Sequence, residues 1–510
     1  MRASARPASL LFALAAGLAQ AASIASPLDG EPRWWLQLGS LAVLAALLQR
    51  VAQWKTAALL GWTFATAWLA GTFWWLYISM HVYGGLPSLM AGAAVLLLAM
   101  LLATYYAAAC GAFVLCSGST IVGRVLVFAS TWLAAELARE CWFTGFPWGA
   151  GGYAHLDGPL AGLAPWAGVY GIGFVAAALA AMLAQALDRH APGARRRWVV
   201  PGVALLVIAV LPWAAQRPAP VTATRTLGVA LLQGNIPQDQ KFEPGTGVPV
   251  ALDWYRQQLL AVTAPLVVTP ETAIPLLPYQ LPAGYLKQLG EHFSASGQAA
   301  LVGLPLGSFD AGYTNSVIGL KAQPRLYRYD KHHLVPFGEF IPPLFRWFTR
   351  MMNIPLGDFG RGALVQPSFA WQGERIAPNI CYEDLFGEEL AARFEDEASA
   401  PTVFVNMSNI GWFGDTVAID QHLAISRMRA IEFERPMLRA TNTGATAIID
   451  AHGRVTHMLP RLTRGVLLGE VAGGRGITPY AWWAARAGLW PLWLLALGVP
   501  CLFRLRRRAG

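Results

Sequence analysis

The sequence predicts a multi-pass α-helical membrane bundle of about eight spans joined to an α/β domain outside the bilayer. Three observations lead there. Of 510 residues, 55% are apolar and 13% charged, against about 25% charged in a soluble globular chain. Apolar stretches crowd residues 1–215 and return near 488–504, whereas 216–487 alternates short apolar runs with frequent charges. The basic residues of the short connecting segments fall almost all on one side if helices alternate. This composition excludes a disordered chain, a coiled coil and an ordinary cytosolic enzyme.

Seven apolar stretches lie near 8–25, 34–49, 56–78, 88–115, 121–138, 160–186 and 198–214, and an eighth near 488–504. A bilayer core of about 30 Å needs roughly 20 apolar residues in a helix. Backbone groups in lipid must be bonded within the segment, so these runs are expected to be helical. The first has a second reading as a cleavable signal peptide, from Arg2, Arg6, the apolar run and Ala19-Gln20-Ala21. The predicted domains are therefore a membrane domain of seven spans at 1–215, an exported domain at 216–487, and a last span with a basic tail at 488–510.

Charge sets the expected orientation. Residues 216–487 carry 23 basic and 23 acidic side chains, so the net +9 of the chain resides in the membrane part. There, 13 of 15 basic residues share one side: Arg2, Arg6, Arg50, Lys55, Arg124, Arg189, Arg195, Arg196, Arg197, Arg504, Arg506, Arg507 and Arg508. Only Arg33 and Arg139 fall opposite. Positive loops stay in the cytoplasm, which places both termini inside and 216–487 outside. The basic balance is thus a topology signal, and nucleic acid is not an expected partner.

In the exported block, 226–234 reads as a buried strand, 249–263 as a helix and 265–269 as a strand ending in Pro270-Glu271. A helix near 283–296 and strands near 299–305, 314–320 and 325–330 follow. After an irregular segment come a strand at 375–380, a helix near 386–395, a strand at 402–406, a helix near 418–434 and a strand at 437–441. Two more strands flank the turn Ala451-His452-Gly453-Arg454. Strands alternating with helices imply a layered α/β fold, in which active sites gather at strand ends.

Three predicted strand ends carry reactive groups: Glu271, Lys331 and Cys381. Each has a plain structural reading, respectively as a helix cap or surface carboxylate, a salt bridge to Asp330, and a buried inert thiol. Together they make chemical sense. A thiol of pKa about 8.5 is mostly neutral at pH 7 and needs a base. A carboxylate can take its proton and later return it to a leaving group. A lysine can hold the oxyanion of a tetrahedral intermediate. Cys381 is the only cysteine of the exported block; Cys110, Cys116, Cys141 and Cys501 lie in or beside apolar segments. No Cys/His spacing suits a metal, since His332 and His333 are adjacent.

The order Thr269-Pro270-Glu271, then Tyr329-Asp330-Lys331-His332-His333-Leu334-Val335-Pro336-Phe337-Gly338-Glu339, then Ile380-Cys381-Tyr382-Glu383 resembles the nitrilase superfamily. Ser408-Asn409-Ile410-Gly411-Trp412-Phe413-Gly414-Asp415 adds to the match. With the surrounding spans, the whole chain resembles the bacterial apolipoprotein N-acyltransferases. Two departures touch the pocket lining: Thr269 where that family often has Trp, and Ile410-Gly411 where it often has Asp-Ala.

The resemblance implies a four-layer αββα sandwich on a membrane bundle, placed in the periplasm at the inner membrane. It implies transfer of an acyl chain from a phospholipid, typically phosphatidylethanolamine, to Cys381 as a thioester. The chain then passes to the N-terminal amine of a diacylglyceryl-cysteine in an apolipoprotein, the last step of lipoprotein maturation. Glu271 would be the base, Lys331 the oxyanion stabiliser and Cys381 the nucleophile, supported by Glu339, Tyr382 and Glu383. No cofactor is implied.

Residues 342–356 carry Phe345, Trp347, Phe348, Met351, Met352, Ile354 and Leu356 between prolines and Gly357, and read as a lipid-contacting lid or as a core helix. Trp482 and Trp483 suit an interfacial belt or packing on the domain. Two other functions use the same features: a membrane-tethered amidase or nitrile hydrolase, and a transporter with an exported binding domain. The tether needs one span only, and a transporter would need intramembrane charge, for which only Glu136 and Glu140 stand out.

Overall fold

The computed structural model describes residues 7–118, 120–187, 194–215, 221–322, 326–341 and 359–509. They divide into two compact units, one of Met1–Tyr77, Pro87–Pro218 and Ala487–Gly510, the other of Ile78–Leu86 and Ala219–Arg486.

The first unit is helical. All eight apolar runs form helices: α1 (Pro7–Ile24), α2 (Trp34–Gln49), α3 (Trp54–Thr72), α4 (Ser88–Cys116), α5 (Ile121–Cys141), α6 (Ala164–Leu183), α7 (Ala194–Ala215) and, near the C-terminus, Trp490–Ala509. Among the described residues, four segments can cross a membrane by length and composition: Pro7–Ile24, Ser88–Cys116, Ile121–Thr144 and Ala161–Leu183. A fifth results if the broken pair Pro479–Ala487 and Trp490–Arg506 is one span. About eight spans were expected. The difference has physical causes. Helix α2 has 16 residues, about 24 Å at 1.5 Å per residue, short of a ~30 Å core. Helix α3 is diluted by Lys55 and four threonines.

Between α5 and α6 the backbone is irregular, with short 3₁₀ turns at Trp142–Thr144, Gly151–His155 and Ala161–Leu163. Such backbone needs internal partners inside a bundle, and α5 supplies them. Glu136 accepts from the Gly151 N–H at 2.8 Å. Arg139 donates to the carbonyls of Phe146 at 2.9 Å and Trp148 at 2.7 Å.

The second unit holds two six-stranded sheets. Its strands are β1 (Thr222–Gln233), β2 (Leu266–Val268), β3 (Ala299–Ser308), β4 (Gly312–Leu320), β5 (Tyr327–Asp330), β6 (Phe369–Trp371), β7 (Glu374–Ile380), β8 (Val403–Ser408), β9 (Met437–Thr441), β10 (Ala447–Ile449), β11 (Val455–Met458) and β12 (Gly465–Arg475). The sheet orders are β12-β1-β2-β3-β4-β5 and β11-β10-β9-β8-β7-β6. Parallel pairing joins β1 to β2 to β3, and β7 to β8 to β9. The remaining pairs are antiparallel.

Period-two alternation builds the layers. Leu227, Val229 and Leu231 of β1 face the other sheet, where they share a core with Ile376, Ile380, Val405 and Met407. Ala230 and Leu232 face outward onto Tyr255, Leu259, Leu289 and Phe293 of helices α8 (Gly247–Ala261) and α9 (Tyr285–Ala295). The second sheet's outer face packs on Phe433 of α10 (Val417–Phe433), Tyr480 of α11 (Pro479–Ala487) and Phe394. The result is helix, sheet, sheet, helix.

Two strands were not foreseen. β6 has three residues, and β12 (GVLLGEVAGGR) is so rich in glycine that its strand signal is weak; β12 nevertheless pairs along the length of β1. The helix expected at 386–395 is shorter, Gly387–Ala391, and tightens into a 3₁₀ turn. Helix α11 leaves Trp482 exposed, whereas Trp483 packs on Tyr480. Segment Ile78–Leu86, between α3 and α4 in the chain, belongs to the sheet unit and sets Tyr83 edge-on to Trp412 at 5.8 Å.

Candidate active site

Each candidate residue follows a strand because the strand core ends there. Glu271 lies just past β2, after Thr269-Pro270, and Pro270 cannot extend the ladder. Lys331 directly follows β5, and Cys381 directly follows β7. β2 and β5 belong to one sheet and β7 to the other, so the groups meet between the two sheets.

Lys331 is the hub. It is buried, and its ammonium lies 2.9 Å from the Glu339 carboxylate and 3.4 Å from that of Glu271. Burial pulls this ammonium down, but Glu339 and Glu271 together outweigh it and hold it above its ordinary range. Glu339 also accepts from the Val335 N–H at 2.9 Å, which closes the loop after Lys331. Glu271 is fixed on its other oxygen by the Asn409 N–H at 2.9 Å, an amide from the end of β8.

Glu383 ties the two sheets together. One oxygen accepts from the N–H groups of His332 at 2.6 Å and His333 at 3.2 Å, beside Lys331. The other accepts from Ile380 N–H at 2.6 Å and the Tyr329 hydroxyl at 2.8 Å. Its role is therefore to hold the lysine-bearing and cysteine-bearing strand ends in register. Tyr382 turns into a ring cluster with Phe386 and His333, at 5.3 and 5.6 Å.

Cys381 is partly buried and has φ 53°, the left-handed region. For a residue with a Cβ this costs on the order of 1–3 kcal/mol and persists only where the surroundings enforce it. Burial, and next the negative charge of Glu271, push its thiol up to about 12, opposed by Lys331. At neutral pH the group is a thiol, so attack requires that its proton be taken.

Several residues of the site carry no signal in the sequence. Asn315 of β4 donates to Glu271 at 2.7 Å and to Glu339 at 2.8 Å, locking the two carboxylates around Lys331. Asn315 stands between Thr314 and Ser316, so its polarity does not mark it out in the sequence. Lys241 is buried and donates to the Glu271 carbonyl at 3.1 Å; burial pushes its ammonium down to about 8. Phe345, Trp347, Phe348, Met351 and Met352 lie outside the described residues. Among the described residues no group of three or more His, Cys, Asp or Glu side chains could hold a metal ion.

Two family profiles match this chain: the apolipoprotein N-acyltransferase N-terminal domain over residues 16–182, and carbon-nitrogen hydrolase over 228–476. An apolipoprotein N-acyltransferase from Verminephrobacter eiseniae is 60% identical, covering 94% of this chain and 93% of its own. One from Ralstonia nicotianae is 46% identical, covering 94% and 90%. The chain belongs to the apolipoprotein N-acyltransferase family. Among solved structures, a CN-hydrolase superfamily protein from Xanthomonas campestris aligns at 19% identity and a TM-score of 0.37, over 52% of this chain and 96% of that one. All three strand ends, together with Asn315, Glu339 and Glu383, lie within the carbon-nitrogen hydrolase match.

Proposed function

We propose that Cys381 carries the acyl group between two lipid substrates in a ping-pong reaction, with Glu271 as general base and Lys331 as oxyanion stabiliser. As a family member the protein is an N-acyltransferase of lipoprotein maturation, acting at its last step. The donor we propose is a phospholipid of the phosphatidylethanolamine type. The observation that carries the reading is the cluster in which Lys331 pairs with Glu271 and Glu339 while all three act electrostatically on the Cys381 thiol.

In the first half, Glu271 accepts the Sγ proton as sulfur attacks the ester carbonyl, and Lys331 holds the developing oxyanion. The intermediate collapses to a thioester, and Glu271 returns the proton to the departing lysophospholipid oxygen. In the second half, the N-terminal amine of the diacylated apolipoprotein attacks the thioester. Glu271 takes the amine proton and gives it to the leaving Cys381 sulfur. One base and one cation serve both halves, and two bulky lipids need not be bound together. The membrane has a physical reason: drawing an acyl chain into water costs about 0.8 kcal/mol per methylene.

The proposed topology takes all eight apolar helices as spans, the short α2 and the diluted α3 included, with both termini cytoplasmic and 216–487 periplasmic; the one-sided basic residues support it. Kinetics test the chemistry. With phospholipid alone, the enzyme is expected to release about one equivalent of lysophospholipid and then stall. Initial rates at several fixed donor concentrations should give parallel lines. Converging lines without a burst would mean direct transfer in a ternary complex.

A further inference from the structure

The strained backbone of Cys381 is held from behind by a polar group of residues that the reaction scheme leaves unused. The Cys381 carbonyl accepts two side-chain hydrogen bonds, from Asn406 Nδ2 at 3.1 Å and from His422 Nε2 at 3.2 Å. Asn406 lies on β8 and His422 on α10, so the two donors reach the carbonyl from different elements. Behind them Arg439 of β9 donates to His422 Nδ1 at 2.8 Å, to Ser426 at 2.8 Å and to Asn406 Oδ1 at 3.3 Å. Ser426 in turn donates to Asp384. His422, Arg439, Asn406, Ser426 and Asp384 are all fully buried.

This geometry fixes the histidine tautomer. A guanidinium has donors only, so His422 Nδ1 must accept from Arg439. The ring proton then sits on Nε2 and points at the Cys381 carbonyl, which can only accept. A second ring proton would face Arg439. Burial, followed by the charge of Arg439, holds His422 well below its ordinary pKa, consistent with a neutral ring. Arg439 likewise orients Asn406: its bond to Oδ1 turns Nδ2 toward the same carbonyl.

We propose that His422, set in its tautomer by Arg439, is a positioning residue that together with Asn406 clamps the Cys381 carbonyl and so aims the sulfur at the acyl carbonyl. The clamp acts through the backbone of Cys381 and touches no substrate. It rests on the reading of Cys381 as nucleophile. Loss of one donor lets the turn at Cys381 relax, and misplacement of a reacting atom by about 1 Å costs on the order of a hundredfold in rate.

The test measures acyl-enzyme formation in solubilised full-length protein mixed with phosphatidylethanolamine in detergent micelles. His422→Leu keeps bulk without a donor, and the acylation rate constant should fall roughly 10–100-fold while the donor KM changes less than about threefold. His422→Gln restores a donor and should recover most of that loss. Asn406→Asp still accepts from Arg439 but no longer donates, and should slow acylation comparably; it decides the matter if His422→Leu does not fold. A wild-type rate in Asn406→Asp or in folded His422→Leu overturns the clamp, as does a His422→Gln enzyme no faster than His422→Leu. Cys381→Ala is the control that separates the two claims: acyl-enzyme formation in that variant would overturn the nucleophile itself, whereas a dead Cys381→Ala beside a fast His422→Leu overturns the clamp alone.

Discussion

Helix α5 and the strand ends around Lys331 both bury opposite charges, yet they place them against different partners. Arg139 of α5 gives hydrogen bonds to two main-chain carbonyls, and Glu136 receives one from a main-chain N–H. Those charges hold irregular backbone in place. Lys331 gives its ammonium to two carboxylates that also act on a thiol. A buried charge answered by backbone stabilises a shape; one answered by other titratable groups beside a nucleophile can move protons. Burial alone does not distinguish the two, and the partners do.

The largest effects that would break this contrast are kinetic. Glu271→Gln and Lys331→Ala should yield folded enzyme whose Cys381 acylation falls by roughly 10²–10⁴, read as lysophospholipid release. A wild-type rate in either would remove that residue from the chemistry. Arg139→Met should do the reverse. It leaves the carbonyls of Phe146 and Trp148 without their donor, at roughly 1–3 kcal/mol each, seen as a lower unfolding midpoint in detergent. The folded fraction should still acylate Cys381 at the wild-type rate, and a kinetic loss without a stability loss would place Arg139 in the reaction.

The smallest effect concerns pH. With its thiol pushed up to about 12, Cys381 should react with iodoacetamide ever faster as pH rises through neutrality. Glu271→Gln removes a negative neighbour and should move that rise to lower pH. Lys331→Ala removes a positive one and should move it higher. Peptide mapping isolates Cys381 from the other four cysteines. A midpoint near the ordinary value of about 8.5 would mean that the surroundings do not hold the thiol neutral.

Much of this site was legible because strand ends concentrate it. Glu271 and Cys381 each end an apolar run, which makes the break visible, whereas Lys331 follows the mixed strand Tyr327-Arg328-Tyr329-Asp330 and stands out through the longer stretch that resembles the family. Asn315, Asn406, Arg439 and His422 escaped notice because they sit inside strands or a helix, where a polar residue has no local signature until its partner, distant in sequence, is in place. Lys241 was missed because it follows β1 on an irregular turn. A layered α/β fold was legible from strands alternating with helices, the four-layer sandwich only through the family resemblance, and β12 was lost to its glycines. The helical runs were found, but a run shows that a helix forms and not whether its length and hydropathy suffice to span a membrane, as α2 and α3 illustrate.

The central claim, that Cys381 holds the acyl chain between donor and acceptor, is most directly tested by mass spectrometry of the enzyme after incubation with phospholipid and no acceptor. The expected result is a single added acyl mass on the peptide containing Cys381, released by hydroxylamine, lost on addition of a diacylated peptide with a free N-terminus, and missing in Cys381→Ala. Turnover of donor and acceptor with no acyl mass on that peptide at any time would contradict the account.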